Sequence, residues 1–242
     1  MENGIFLTAE WRYLAMLNYQ VDPLVLRAYV PSGTELDQWG GRTYVSLVGF
    51  LFLKTRVLGL RIPFHENFEE INLRFYVRRR SREGWRRGVV FIREIVPRPA
   101  IAAAARVLYH ENYAARPMSH RIEMEAGRLS AEGRVEYAWR EGRAWNRLSL
   151  KSSGDPQPLE AGSEPEFITE HYWGYSAQRD GGCVEYRVEH PSWRVWGASE
   201  AVFEGDLERA YGPTFAEVLR VPPVSAFLAE GSPVIVRRGI RI

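Results

Sequence analysis

Polar residues at alternate positions in one short segment are the part of this sequence best suited to chemistry. They are Glu70, Asn72, Arg74 and Tyr76, and apolar residues fill the positions between them. A period of two is typical of a β-strand, which places the polar residues on one face. An arginine binds planar carboxylates, and a carboxylate or a phenol transfers protons. The row predicts either a sheet face in water or the wall of a ligand site.

The flanking segments favour the ligand site over the face in water that an antiparallel sheet commonly presents. Residues 45–52 and 89–92 carry apolar residues on both of their alternating faces, which indicates strands covered on both sides. Enclosed charges cost several kcal/mol unless they are paired. Glu70 and Arg74 are about 14 Å apart along a strand that rises ~3.4 Å per residue, so they need other partners. We therefore expect a bound anion or carbonyl compound beside this row.

Common motifs for cofactors, phosphates and metals are absent from the sequence. It contains no GxGxxG, GxxxxGK[ST], GxSxG or HExxH pattern, so dinucleotide-binding, P-loop, serine-hydrolase and zincin classes lose their support. The five histidines are scattered without the spacing of metal ligands. We expect no cofactor and no metal.

The elements that position the polar row are mainly strands. Turn residues separate short apolar or alternating segments, which is typical of antiparallel hairpins. Asp22 and Pro23 predict the start of a short helix, and residues 100–108 predict an alanine-rich one. A polar stretch at 151–166 predicts a surface loop, and Gly231 with its neighbours predicts a turn between two final strands. A further short helix is predicted over residues 206–211.

Length and composition bound the organisation of the chain. With 242 residues and 45% hydrophobic residues, residues 1–242 fit one large domain. No apolar run approaches the ~18 residues of a membrane span, the first residues lack the blocks of a signal peptide, and Cys183 is the only cysteine. We expect a cytoplasmic protein without a membrane partner.

Arginine dominates the basic residues. Only Lys54 and Lys151 are lysines among 32 basic residues. A codon bias towards arginine would explain a surplus of this residue that is spread over the whole chain. The alternative is that the guanidinium groups bind planar anions. The basic run at 78–87 straddles a predicted hairpin tip, and the net charge is only +2. A solvated turn is the favoured interpretation, so no nucleic-acid partner is expected.

The order of several short segments resembles the YqjF-like family of uncharacterised bacterial proteins over most of the chain. These segments are residues 11–19, Asp22-Pro23, Val30-Pro31, 35–37, Gly40-Gly41, 68–74, 167–170 and 188–191. That family is similar in fold to acetoacetate decarboxylase. The resemblance implies a mainly β (α+β) fold, an antiparallel, cone-like β-barrel with a few short helices around a ligand cavity.

The resemblance also assigns positions within the cavity. Arg12 matches the active-site arginine of the decarboxylase, and Glu70 matches its cavity glutamate. Ser46 stands where a second cavity glutamate is expected. Arg106 matches the arginine of a Gly-Arg-Glu stretch.

The sequence departs from the decarboxylase where the Schiff-base lysine belongs. Asn112, Tyr113 and Ala114 replace its Pro-Lys-Lys run. A lysine is needed there because a neutral amine attacks the ketone and the resulting iminium accepts electrons. Lys54 follows an apolar strand and Lys151 opens a polar loop, so neither is a good substitute. Schiff-base decarboxylation is not expected.

These observations predict a protein that binds a small carboxylate or carbonyl compound, or an enzyme that acts on one without a lysine. The expected catalytic groups are Glu70, Tyr113 and His110, and the expected ligand-binding groups are Arg12, Ser46, Asn72, Arg74, Tyr76 and Arg106. The alternative is a structural or interaction protein with a closed cavity, in which aromatic residues contact a partner or a second copy in a homo-oligomer. The candidate contacts are Trp139, Trp145, Trp173, Trp193 and Trp196.

Overall fold

The computed structural model describes residues 4–108, 111–125 and 128–242, and strands make up most of them, as predicted. The strands are β1 (Ile5–Val21), β2 (Glu35–Leu36), β3 (Thr43–Val57), β4 (Leu60–Arg61), β5 (Phe68–Ser81), β6 (Gly84–Val96), β7 (Tyr113–Ala115), β8 (Met118–Ile122), β9 (Met124–Glu125), β10 (Arg128–Leu129), β11 (Arg134–Glu141), β12 (Ala144–Gln157), β13 (Trp173–Ala177), β14 (Cys183–Glu189), β15 (Val195–Glu204), β16 (Ser225–Arg237) and β17 (Ile240–Arg241). The helices are α1 (Pro23–Leu26), α2 (Pro99–Leu108), α3 (Glu164–Thr169) and α4 (Leu207–Arg220), and a 3₁₀ turn spans Arg27–Tyr29.

One large sheet carries the polar row at its centre. Its order includes β14-β13-β6-β5-β3-β1-β16, and β14 also pairs with β16, so this path of strands returns to its start. The pairings are antiparallel except those of β6 with β13 and with β7. Beyond β16 the sheet continues through β15, β12, β11 and β8.

Both faces of β5 are buried. Ile71, Leu73 and Phe75 are fully shielded from solvent and pack in one apolar core with β11, β12 and α4. On the other face, only 3% of Glu70 and 8% of Arg74 are exposed. The period-two interpretation and the enclosure of the polar face are therefore both confirmed.

Helix α1 begins as predicted. The Asp22 carboxylate accepts a hydrogen bond from Leu24 N at 2.9 Å, which satisfies a free backbone donor, and Pro23 occupies the first turn. Helix α4 is longer than predicted, because the chain resumes a helical path after a kink at Gly212. Among the described residues, no helix has the length and apolar character needed to cross a membrane.

Two predicted breaks in the sheet are wrong. The segment from Lys151 to Gln157 continues β12 instead of forming a loop, since β15 offers it a partner strand. The turn predicted around Gly231 is part of the continuous strand β16, where Gly231 lies opposite Arg12 of β1. Gly231 has a φ of +79°, and a Cβ there would lie 2.0 Å from Trp11 O. Glycine here allows two backbones to approach closely rather than turning the chain.

Candidate ligand cavity

The polar floor of the cavity is assembled by three neighbouring strands. Strand β5 contributes Glu70, Asn72 and Arg74, and β6 pairs with it so that Glu94 lies opposite Asn72. Strand β7 runs parallel to β6 and places Tyr113 opposite Glu94. These side chains therefore meet on one face of the sheet, although β7 is distant from β5 in sequence.

The cavity has a volume of about 380 Å³ and is lined by side chains from β1, β3, β5, β6, β13, β14 and β16, together with α2. Most of its lining is apolar, and aromatic rings form much of the wall: Trp11, Phe50, Phe52, Phe68, Phe91 and Trp193. A mostly apolar pocket with a few convergent polar groups is the usual form of a small-molecule site.

Hydrogen bonds fix the carboxylate of Glu70. Asn72 Nδ2 donates to Glu70 Oε1 at 3.0 Å, and the Tyr113 hydroxyl donates to Glu70 Oε2 at 3.1 Å. A second tyrosine, Tyr186, donates to Glu111 Oε1 at 2.6 Å in the same cavity. Each of the two tyrosines thus holds one glutamate in a defined orientation.

Three glutamates in this region hold protons more tightly than usual. Burial raises the pKa of Glu70 and of Glu111 to about 7 each, and it raises the pKa of Glu94 well above its usual range. Burial likewise raises the pKa of Tyr113, and the charges of the neighbouring glutamates add to that rise. Near neutral pH this floor therefore contains carboxyl groups able to give or take a proton.

Arg74 is a buried cation with weak contacts. Nη2 donates to Ile168 O at 3.4 Å and approaches Met16 Sδ at 4.0 Å, while the guanidinium carbon lies 5.9 Å from the centre of the Tyr76 ring. Within the described ranges, no carboxylate forms an ion pair with Arg74, and its Nε has no hydrogen-bond partner. A guanidinium this deeply buried is stabilised best by an anion.

Two histidines also line the cavity. Burial lowers the pKa of His171 to about 4, despite the Asp37 carboxylate 3.8 Å from its Nε2. Burial lowers the pKa of His190 as well, and its ring stacks on Trp193 with centroids 4.2 Å apart. Both imidazoles are therefore neutral at physiological pH. In the part of the chain that the structure describes, no three His, Cys, Asp or Glu side chains group as metal ligands do.

Four of the predicted site residues converge in this cavity: Glu70, Asn72, Arg74 and Tyr113. Ser46 and Tyr76 do not line it. Their hydroxyls form a 2.6 Å hydrogen bond with each other, next to Arg74. His110 lies outside the described residues.

The other two predicted arginines lie elsewhere. Arg12 pairs with Glu10 at 3.2 Å on the opposite face of β1, because strand alternation directs the adjacent Trp11 into the cavity. Arg106 is exposed on α2, where its Nε donates to Ala102 O of the same helix at 3.0 Å. The structure thus leaves Arg74 as the predicted arginine that lines the cavity.

Sequence reasoning missed Glu94, Glu111, His171 and His190 as cavity residues. Glu94 and the adjacent Arg93 interrupt an otherwise apolar segment, residues 89–96. That interruption is itself a signal, since a carboxylate in a covered strand requires a partner. The sequence around His171 and His190 does not indicate a ligand site. These histidines flank β13 and β14, and they reach the cavity only because these two strands close the path of strands.

Neither lysine of the chain lines the cavity. Lys54 Nζ pairs with Glu10 at 2.6 Å, and 74% of its side chain is exposed. Lys151 pairs with Glu132 at 3.2 Å on the far part of the sheet. Both are occupied by surface ion pairs.

Comparison with known sequences identifies a family and a relative. The model of the family DUF2071, described as an uncharacterized conserved protein, matches residues 8–233. The uncharacterized protein YqjF of Bacillus subtilis (strain 168) is 26% identical over 221 residues, which cover 89% of this chain and 86% of YqjF.

Solved structures show a shared fold. The enduracididine biosynthesis enzyme MppR, complexed with pyruvate, aligns with a TM-score of 0.72 at 15% identity, covering 100% of this chain and 91% of MppR. An acetoacetate decarboxylase-like enzyme from Sphingomonas wittichii RW1 aligns with a TM-score of 0.67 at 15% identity, covering 99% of this chain and 93% of the enzyme. At these identities the likeness concerns the fold alone.

Proposed function

The chain belongs to the DUF2071 family, and we propose that it binds a small organic carboxylate, with or without an adjacent carbonyl, through Arg74. The observation that carries this proposal is the buried guanidinium without an ionic partner among the described residues. Its unpaired Nε and its weak contact with Ile168 O leave donors for a ligand. A carboxylate forms two parallel hydrogen bonds with such a group.

Glu70 and Tyr113 suit proton transfer on the bound molecule. A base with a pKa near 7 is effective at neutral pH, because it is partly ionised and still basic. We propose that the ionised Glu70 takes a proton from the carbon next to the ligand's carbonyl and returns it. In this reaction Tyr113 holds the Glu70 carboxylate in place. Enolisation or isomerisation of an oxo acid is the class of reaction that this arrangement supports.

Such chemistry differs from that of a Schiff-base decarboxylase. A Schiff base requires an amine in the cavity, and both lysines of this chain form surface ion pairs. The fold shared with MppR, whose structure was solved with pyruvate, supports a carboxylate with an adjacent carbonyl as the ligand type. That support rests on analogy of fold.

We further propose that the closed path of strands is the cone-like barrel expected from the sequence, and that residues 1–242 form one domain around it. Side chains from all seven strands of that path line a single cavity. The alternative of an interaction protein with an aromatic surface has less support, because Trp139, Trp193 and Trp196 are buried.

A thermal-shift screen tests the binding proposal. Wild type is compared with Arg74→Gln and with Arg12→Gln, a matched control outside the cavity. A 2-oxo acid at about 100 times its Kd stabilises a protein by ~2.7 kcal/mol, which corresponds to a rise of roughly 5–10 °C in Tm at this size. We expect that rise in wild type and Arg12→Gln, and its loss in Arg74→Gln. Equal rises in all three proteins, or none in wild type, would reject the proposal.

A further inference from the structure

The cavity is larger than a small oxo acid requires. Its volume of about 380 Å³ equals the space of roughly a dozen waters at ~30 Å³ each. Pyruvate, with three carbons, occupies a minor part of such a space. Cavities of this size ordinarily hold ligands with many more heavy atoms.

The space beyond Arg74 is walled by aromatic rings. Trp11 contacts Phe50, Phe52 and Trp193 edge to face, with centroids 5.5, 5.8 and 6.4 Å apart, and Phe52 stacks on Phe68 at 4.7 Å. Rings that hold one another in this way keep the wall in place. Water gains little from an apolar wall, so an apolar ligand group is the better occupant.

The lining of the cavity follows the second half of β3, from Phe50 to Val57. Arg74 lies opposite Ser46, near the start of β3, whereas Val57, the last residue of β3, lines the same cavity together with Ile62. Between Val57 and Ile62 the chain also exposes two apolar side chains, Leu58 by 53% and Leu60 by 67%. A charged group at Arg74 and an apolar group toward Ile62 therefore fit opposite ends of one elongated space.

We propose that the natural ligand is a carboxylic acid that carries an apolar tail of several carbons, with its carboxylate on Arg74 and its tail along the aromatic wall. This inference rests on the proposed function of the cavity and adds the chemical class of the ligand. The apolar walls and the length of the cavity along β3 favour acids with a tail over compact acids such as pyruvate.

A chain-length series measures the contribution of the tail. Calorimetric Kd values are compared for pyruvate, 2-oxobutanoate, 2-oxohexanoate and 2-oxooctanoate at about pH 6. Burial of one methylene stabilises binding about threefold to fourfold, so we expect affinity to rise by that factor for each added carbon. Equal affinity along the series would overturn the inference and leave the proposed function intact. Failure of every acid to bind would instead reject the proposed function.

A plug variant tests the position of the tail. Ala103 and Ala104 are both exposed on α2, but of the two only Ala104 lines the cavity. We expect Ala104→Phe to weaken 2-oxooctanoate at least tenfold and to leave pyruvate within about twofold. Ala103→Phe should bind both acids as wild type does. If Ala104→Phe bound 2-oxooctanoate as tightly as Ala103→Phe, the tail would not occupy this space and the inference would fail.

Discussion

The Tyr113 hydroxyl donates a 3.1 Å hydrogen bond to Glu70 Oε2, and this bond joins two strands that do not pair with each other. Strand β6 lies between them, antiparallel to β5 and parallel to β7. The bond therefore spans the polar floor of the cavity and ties the position of the proposed base to the segment that follows α2. Removal of this hydrogen bond should therefore change the pKa of Glu70 and leave the fold in place.

Tyr113→Phe should raise the pKa of Glu70 above its value of about 7, because the lost hydrogen bond stabilises the ionised carboxylate. A hydrogen bond to a charged group contributes ~1.5–3 kcal/mol, or roughly one to two pKa units. Titration of ¹³C-labelled glutamate carboxyls by NMR, with Glu70→Gln to assign the resonance, measures the change. An unaltered Glu70 resonance would show that the phenol does not influence this carboxylate.

Glu94→Gln should stabilise the protein at alkaline pH. Burial raises the pKa of Glu94 in the folded protein, so folding retains a proton that the unfolded chain loses. The stability is therefore full below the unfolded pKa of about 4.5 and falls as pH rises toward the folded pKa. Gln mimics the protonated acid and removes this loss.

Urea unfolding provides the measurement for Glu94→Gln. We expect the variant to exceed wild type by ~1–3 kcal/mol at about pH 8.5, the usual cost of a poorly paired buried group, and to match it near pH 4.5. The control is Glu83→Gln, whose side chain is 83% exposed and which should show no pH-dependent difference. A constant gap at both pH values would mean that ionisation of Glu94 is not its source.

Binding of an organic anion should weaken as pH rises through about 7. Glu70 and Glu111 both ionise there, since burial raises each pKa to about 7, and their charges oppose a carboxylate on Arg74. The Kd of 2-oxobutanoate, an anion throughout this range, should rise at least threefold between about pH 6 and 8. In Glu70→Gln the rise should be smaller. A Kd independent of pH in wild type would place the bound anion away from these glutamates.

Gly231→Ala should destabilise the sheet strongly. A methyl group would meet Trp11 O at 2.0 Å, in a backbone conformation with φ of +79°. Gly33→Ala is a matched control, because Gly33 has the same φ and nothing within 4 Å of an added Cβ. We expect a loss of about 1–2 kcal/mol for the control, the cost of left-handed backbone, and at least twice that for Gly231→Ala in urea unfolding. Equal losses would show that β1 can move away from β16.

The sequence predicts the polar strand well because its signal is local. Alternation alone places Glu70, Asn72 and Arg74 on one face, and the apolar neighbouring segments show that this face is enclosed. The pairing of Tyr113 with Glu94 depends on the parallel strand β7, which a three-residue segment does not reveal. Long-range pairing therefore explains why sequence reasoning named Tyr113 but did not bring it together with Glu94.

Pairing with a partner strand explains two further differences between prediction and structure, at Arg12 and at Gly231. Resemblance to the decarboxylase directs attention to Arg12, but alternation along β1 turns Trp11 into the cavity and Arg12 away from it. The segment from Glu230 to Pro233 has the composition of a turn. In the structure, Gly231 instead allows the backbone of β16 to lie close to Trp11 O. In both cases the partner strand decides the outcome, and it is distant in sequence.

The Kd of 2-oxobutanoate for Arg74→Gln, measured by calorimetry beside wild type and Arg12→Gln, tests the central claim most directly. Loss of a charge-assisted hydrogen bond costs ~1.5–3 kcal/mol, so the Kd of Arg74→Gln should rise roughly 10- to 150-fold while that of Arg12→Gln stays within about twofold of wild type. Circular dichroism of all three proteins verifies that the fold is retained. If folded Arg74→Gln bound the acid as tightly as wild type, the buried guanidinium would not be the anion site.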